Sequence, residues 1–273
     1  MSNWRDSLKR FFPRRRTRGG TLDWLHDVWS PQLQNRRDVV VYLPPTYGGR
    51  RQFPVVYMQD GQNLFDPATA HAGDWGLRAS LDALASRGIE TIVVGVWHAG
   101  IGRIAEYSPF VDAKIGGGSG DQYLAFLIET LKPLIDARFQ TRPERSHTGL
   151  AGSSMGGLIS LYGFFRRADT FGLAAALSPS VWFADRAIVS LIASADHVPG
   201  RVYLDVGARE GEQHVMNVRA VRDALLAKGY RIGHDVQCVE DLDGGHDEGA
   251  WGRRFPAALS FLLGAPLSDR GRP

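Results

Sequence analysis

Cysteine is almost missing from this 273-residue chain. Cys238 stands alone, so no disulfide can form within it. Redox chemistry that needs a cysteine pair is excluded, and the fold has to be held by an apolar core. Long apolar runs are missing too. No stretch reaches the roughly 18 residues that a membrane-spanning helix requires. The charged N-terminal stretch is followed by no apolar segment of the length a secretory leader needs. A cytoplasmic location is the resulting expectation. There is no internal repeat and no long low-complexity linker, so repeat architectures are excluded.

A large excess of charge of one sign is missing as well. Lysine and arginine number 32 against 29 acids, a net +3. Between Arg5 and Arg18, seven basic residues face one acid, a local +6 that leaves the rest of the chain at −3. The basicity belongs to residues 1–20, and the body is mildly acidic. A basic arm can touch nucleic acid or an anionic lipid surface. The expectation is a solvated tail, with no nucleic-acid partner and at most a weak surface contact through Leu8, Phe11 and Phe12. Residues 266–273 read as a second short tail, which leaves 21–265 as one domain.

Within that body, short β-branched runs alternate with longer runs of helical period. Strands are expected at 37–43, 54–58, 91–97, 147–151, 173–177, 201–206 and 235–240. Continuous apolar runs such as IVVGV suit strands covered on both faces. Helices are expected at 74–86, 121–139, 155–167, 185–195, 212–228 and 251–263, with Asp121 as an N-cap and Pro256 inside the last. The alternation predicts a single α/β domain with a mainly parallel central sheet and helices on both faces. In such folds, sites gather at the carboxyl ends of the strands.

The stretch 149–165, GLAGSSMGGLISLYGFF, lies at such an end. The pattern G-x-S-x-G fits Gly152, Ser154 and Gly156. It fails around Ser153, because Ala151 and Met155 stand where glycines would be needed. A sharp strand-to-helix turn needs glycine where chain segments pass close together. A phosphate-binding loop is excluded, since Leu158 follows Gly157 where lysine would be required, and G-x-G-x-x-G is absent.

A serine at its free pKa needs a base, and the base needs an orienting acid. His246, in LDGGHDEGAW between a strand and the last helix, is the expected base. For the acid, RVYLDVGAREGE offers Asp205 inside a strand and Glu210 in the loop past its end. The loop position favours Glu210. The oxyanion needs backbone donors, expected from the N–H after the nucleophile, at Met155, and from Gln62, where Gly61 lets the chain turn after the strand PVVYM.

Seven segments in order, YMQDGQNLFD, EYSP, TLKPLIDARF, AGSSMGGLISLY, LSPSVW, LDVGAREGE and GGHDEGAW, resemble the esterase family of the α/β-hydrolase superfamily, which includes esterase D-like, enterochelin-esterase-like and feruloyl-esterase-like members. The resemblance covers about residues 30–264. It implies a serine carboxylesterase that forms an acyl-enzyme on a small-molecule ester, with no metal and no cofactor. It matches Ser154, His246 and Glu210 to the triad, and Met155 and Gln62 to the oxyanion hole. It sets Arg103 and Glu106, in an R-x-x-E-Y segment, near the pocket. There Arg103 either meets a substrate carboxylate or pairs with Glu106. Trp182 is either a pocket wall or core. Acyl transfer through the same triad, siderophore-type ester cleavage, and a non-catalytic binding protein on this fold are the alternatives.

Overall fold

The computed structural model describes residues 19–264; of the expected tails, 1–20 and 266–273, all but Gly19 and Gly20 lies outside the described residues. Eight strands form the main sheet: β1 (Thr21–Ser30), β2 (Asn35–Leu43), β3 (Val55–Gln59), β4 (Ile92–Val96), β7 (Thr148–Ser153), β8 (Leu173–Leu177), β9 (Arg201–Gly207) and β10 (Val236–Asp241). The remaining pair, β5 (Val111–Asp112) and β6 (Gly116–Gly117), makes a small separate hairpin. The sheet order is β1-β2-β4-β3-β7-β8-β9-β10. β2 runs antiparallel to β1 and β4, and all later pairings are parallel.

The central strands β3, β4, β7 and β8 are buried at every residue, as continuous apolar runs predict for a sheet covered on both sides. One face packs against α3 (Gly120–Ala125), α4 (Lys132–Arg138), α5 (Met155–Arg166), α6 (Phe183–Ser194) and α7 (Glu212–Ala227), through Leu124, Leu158, Ile188 and Val221 among others. The other packs against α1 (Leu77–Ser86) and α8 (Glu248–Leu263), through Leu81, Trp251, Phe255 and Leu259. A short α2 (Arg103–Glu106) precedes the hairpin. No described helix is long and apolar enough to cross a membrane.

Four local expectations are corrected. β1 was not expected as a strand. Its polar residues Asp23, His26 and Asp27 break the apolar run, and a register shift falls between Leu25 and Val28. Asp121 does not cap α3. Its carboxylate instead accepts the Tyr162 hydroxyl at 2.8 Å, because Ser119 precedes the helix and Asp121 lies inside its first turn. The helix expected at 121–139 is interrupted by π-helical geometry over Phe126–Leu131. α8 starts three residues before the expected 251, where the Asp247 side chain accepts the Ala250 N–H at 2.8 Å.

Candidate active site

β7 ends at Ser153 and α5 begins at Met155, so Ser154 alone makes the turn. It does so at φ 54° and ψ −121°. A non-glycine residue held in such a region costs of order 1–3 kcal/mol. Neighbouring backbone holds it there: the Ser154 N–H donates to Leu177 O at 3.0 Å, and its carbonyl accepts from Leu158 at 3.1 Å and Ser180 at 2.9 Å. The glycine frame has a steric cause. A Cβ on Gly152 would lie 2.8 Å from the Gly156 carbonyl carbon, and one on Gly156 would lie 3.0 Å from Gln59 Cβ.

His246 sits on the loop between β10 and α8, with Nε2 3.1 Å from Ser154 Oγ and Nδ1 2.6 Å from Glu210 Oε2. Its ring meets Trp251 edge-on at 4.9 Å. Glu210 closes the 3₁₀ turn Ala208–Glu210 just past β9, and its side chain is 1% exposed. Asp205 does not reach His246. It lies inside β9, fully buried, where it accepts the Ser178 N–H at 3.2 Å and forms an ion pair with Arg254 at 3.2 Å. Burial pushes the Asp205 carboxyl up to about 7, against the pull of Arg254.

The proton positions in this chain follow from donor counting. Ser178 Oγ accepts from Trp251 Nε1 at 3.0 Å and from Arg254 Nη2 at 2.8 Å, and both of those groups only donate. The single Ser178 proton is therefore left for Glu210 Oε1, 2.5 Å away, which also accepts the Gly207 N–H at 2.7 Å. Burial raises the Glu210 pKa, but hydrogen bonds from His246, Ser178 and Gly207 outweigh it, and the group lies below its ordinary value. Glu210 is thus an ionised acceptor and His246 Nδ1 carries a hydrogen. In the neutral imidazole Nε2 is then the acceptor, turned toward the Ser154 hydroxyl. Ser178 and Arg254 were not expected at the site. Ser178 lies in the LSPSVW segment, but its partners are 32 to 76 residues away in the chain.

The expected oxyanion residues lie at two helix starts. Met155 is the first residue of α5, and Gln62 is the middle residue of the 3₁₀ turn Gly61–Asn63 after β3. The first N–H groups of a helix have no partner within it. Gly61 lies at the back of its turn, where a Cβ would stand 2.3 Å from the Gly95 carbonyl carbon of β4. The Gln62 side chain accepts the His98 N–H at 3.4 Å.

The R-x-x-E-Y segment departs from expectation. Arg103 and Glu106 do not pair with each other. Arg103 grips Asp60 through Nε and Nη2, both at 2.7 Å, while its side chain stays 27% exposed. Glu106 turns inward to Arg37, with contacts of 2.8 and 3.0 Å, and accepts from Asn35 at 2.8 Å. Glu106 is 3% exposed, so its expected pocket position is corrected to a buried ion pair. Trp182 is 42% exposed and is not a core residue.

This strand order, with a strained serine between a parallel strand and a helix and a histidine and carboxylate on later loops, defines an α/β-hydrolase. The chain belongs to the esterase family described as "Putative esterase", whose profile matches residues 30–262. It is a hydrolase acting on esters. It is 29% identical over 253 residues to the Uncharacterized protein YbbA of Bacillus subtilis (strain 168), covering 86% of this chain and 96% of that one. It is 29% identical over 244 residues to the Iron(III) salmochelin esterase of Escherichia coli O6:H1, covering 84% of this chain and 54% of that protein, so it spans about half of that esterase. In fold it resembles the IroE-like serine hydrolase of Shewanella oneidensis, with a TM-score of 0.73 at 19% identity over 89% of this chain and 80% of that one.

Proposed function

We propose that the chain is a serine carboxylesterase in which Ser154 is the nucleophile, His246 the general base and acid, and Glu210 the orienting carboxylate. The observation that carries this is the unbroken hydrogen-bond chain from Ser154 Oγ through His246 to Glu210. His246 Nε2 takes the Ser154 proton as Oγ attacks the ester carbonyl. Met155 and Gln62 N–H groups donate to the oxyanion, and the positive end of α5 adds to them. His246 then protonates the departing alcohol, an acyl-enzyme forms, and water activated by His246 releases the acid. Arg103 and Trp182, both partly exposed, are proposed as substrate contacts.

The test is a panel of p-nitrophenyl esters varied in acyl length, read alongside labelling by a fluorophosphonate. Hydrolysis of at least the short-chain esters and one label per chain are expected. A pure protein that neither turns over any ester nor takes the probe would remove this reading.

Ser178→Ala is expected to act on the same chain from behind. It strips one donor from Glu210 and leaves the Trp251 N–H without its acceptor. A hydrogen bond to a charged group is worth ~1.5–3 kcal/mol, so kcat should fall roughly ten- to a hundredfold. The orphaned N–H should lower unfolding free energy by about 1–3 kcal/mol. Steady-state kinetics and urea unfolding measure the two; a variant equal to wild type in both would refute the role given to Ser178.

A further inference from the structure

Ser180 stands two residues past Ser178, held by its N–H to the Ser154 carbonyl at 2.9 Å. It is 1% exposed. Its hydroxyl lies 3.1 Å from Ser154 Oγ and, among the described residues, has no other hydrogen-bond partner. The direction of this bond follows from the proton positions derived above. Ser154 has one hydroxyl proton and gives it to His246 Nε2, so the Ser180 hydroxyl is the donor and Ser154 Oγ the acceptor. A buried hydroxyl aimed at the nucleophilic oxygen itself is not part of the triad or of the oxyanion hole.

We infer that Ser180 is a further catalytic residue, one that donates a hydrogen bond to Ser154 Oγ when that oxygen leaves the acyl group. This rests on the esterase mechanism proposed above. The step can be written out. In the acyl-enzyme, Ser154 Oγ is an ester oxygen and a poor acceptor. Water attacks the acyl carbon and passes a proton to His246 Nε2, while the carbonyl electrons move onto the oxyanion. The intermediate collapses: the carbonyl re-forms, the C–Oγ bond breaks, and its electron pair goes onto Ser154 Oγ. That oxygen carries negative charge until His246 returns the proton. The Ser180 O–H meets the charge where it appears, and charge-assisted hydrogen bonds are about twice as strong as neutral ones. In acylation the balance differs. There the bond already exists to the resting hydroxyl, and a donor on the attacking oxygen holds back its lone pair. The help is therefore concentrated in deacylation.

The experiment uses the full chain with p-nitrophenyl acetate, comparing wild type with Ser180→Ala and Ser180→Gly. Loss of one charge-assisted donor should slow the steady state roughly ten- to a hundredfold. The first turnover should persist as a p-nitrophenol burst of about one per chain, as expected when the acyl-enzyme accumulates. KM should fall with kcat, so that kcat/KM changes by less than about threefold. Intact-mass analysis of the quenched variant should find the acetyl adduct. Two results would overturn the assignment: a steady state within twofold of wild type in both variants, or a kcat/KM that falls as far as kcat with no burst, which is the mark of a displaced Ser154. A wild-type protein that hydrolyses no ester would overturn the esterase mechanism as well. A normal wild type beside an unchanged variant overturns Ser180 alone.

Discussion

Ser154→Ala is expected to lose ester turnover by a factor of roughly 10⁴–10⁶ and to take no fluorophosphonate, with the fold intact. Of the two adjacent serines, Ser154 has its Oγ within hydrogen-bond reach of an imidazole nitrogen; Ser153 ends β7 and is 5% exposed. Ser153→Ala should therefore keep at least half of the wild-type rate. A second consequence comes from the backbone. At φ 54°, any side chain at position 154 is strained, and glycine alone is at ease. Ser154→Gly should be as inactive as the alanine variant and more stable than wild type by about 1 kcal/mol. Steady-state rates, intact-mass labelling and thermal unfolding read these outcomes. A Ser154→Ala protein with wild-type rates, or a dead Ser153→Ala, would refute the assignment.

Arg254→Met should be the most damaging substitution for stability. Arg254 is 6% exposed and lies 3.2 Å from Asp205, 3.6 Å from Glu210 and 3.5 Å from Asp241. Removing the cation from buried carboxylates costs about 3–5 kcal/mol, because the charge left behind has no partner. The loss should depend on pH, with a sign that Asp205 sets. Its folded pKa, about 7, exceeds that of an unfolded aspartate, so between about 4 and 7 the native state holds the extra proton. Stability from this group is present at low pH and declines as pH rises toward 7. Without Arg254 the Asp205 pKa moves higher still, and the decline extends into the alkaline range. Urea unfolding at pH 5 and pH 8 should find the larger deficit at pH 8. Equal deficits at both values would show that the carboxylates do not depend on Arg254.

Much of this arrangement is legible in the sequence, and the limits have a physical cause. The turn at Ser154 is compact: Gly152 is forced by the Gly156 carbonyl four residues on and Gly156 by Gln59 of β3, but both glycines fall within five residues of chain, so a short pattern carries it. The strands β3 and β4 were legible because burial on both faces writes an unbroken apolar run. β1 was not, since its polar residues interrupt the run and only Leu25 and Ser30 of its ten residues are buried. Pairings across the fold left no local trace. Arg103 appeared to have a partner three residues on, at Glu106. In the folded chain Asp60 takes Arg103 from 43 residues away, and Arg37 takes Glu106 from 69. The hydroxyls of Ser178 and Ser180 are as silent in sequence as any serine until β7, β8, β9 and α8 converge.

That convergence has a kinetic meaning. Ser154 and His246 are 92 residues apart, Glu210 and His246 are 36 apart, and Ser178 and Arg254 are 76 apart. Every hydrogen bond of the proposed catalytic line from Ser154 through His246 to Glu210 closes a long loop, and such contacts are the slowest and most entropically expensive to form. His246 follows β10, so no fragment that stops short of β10 contains the line. A growing polypeptide therefore cannot complete the proposed line until β10 and the His246 loop have emerged, and hydrolytic activity becomes a signal that the whole sheet has been assembled.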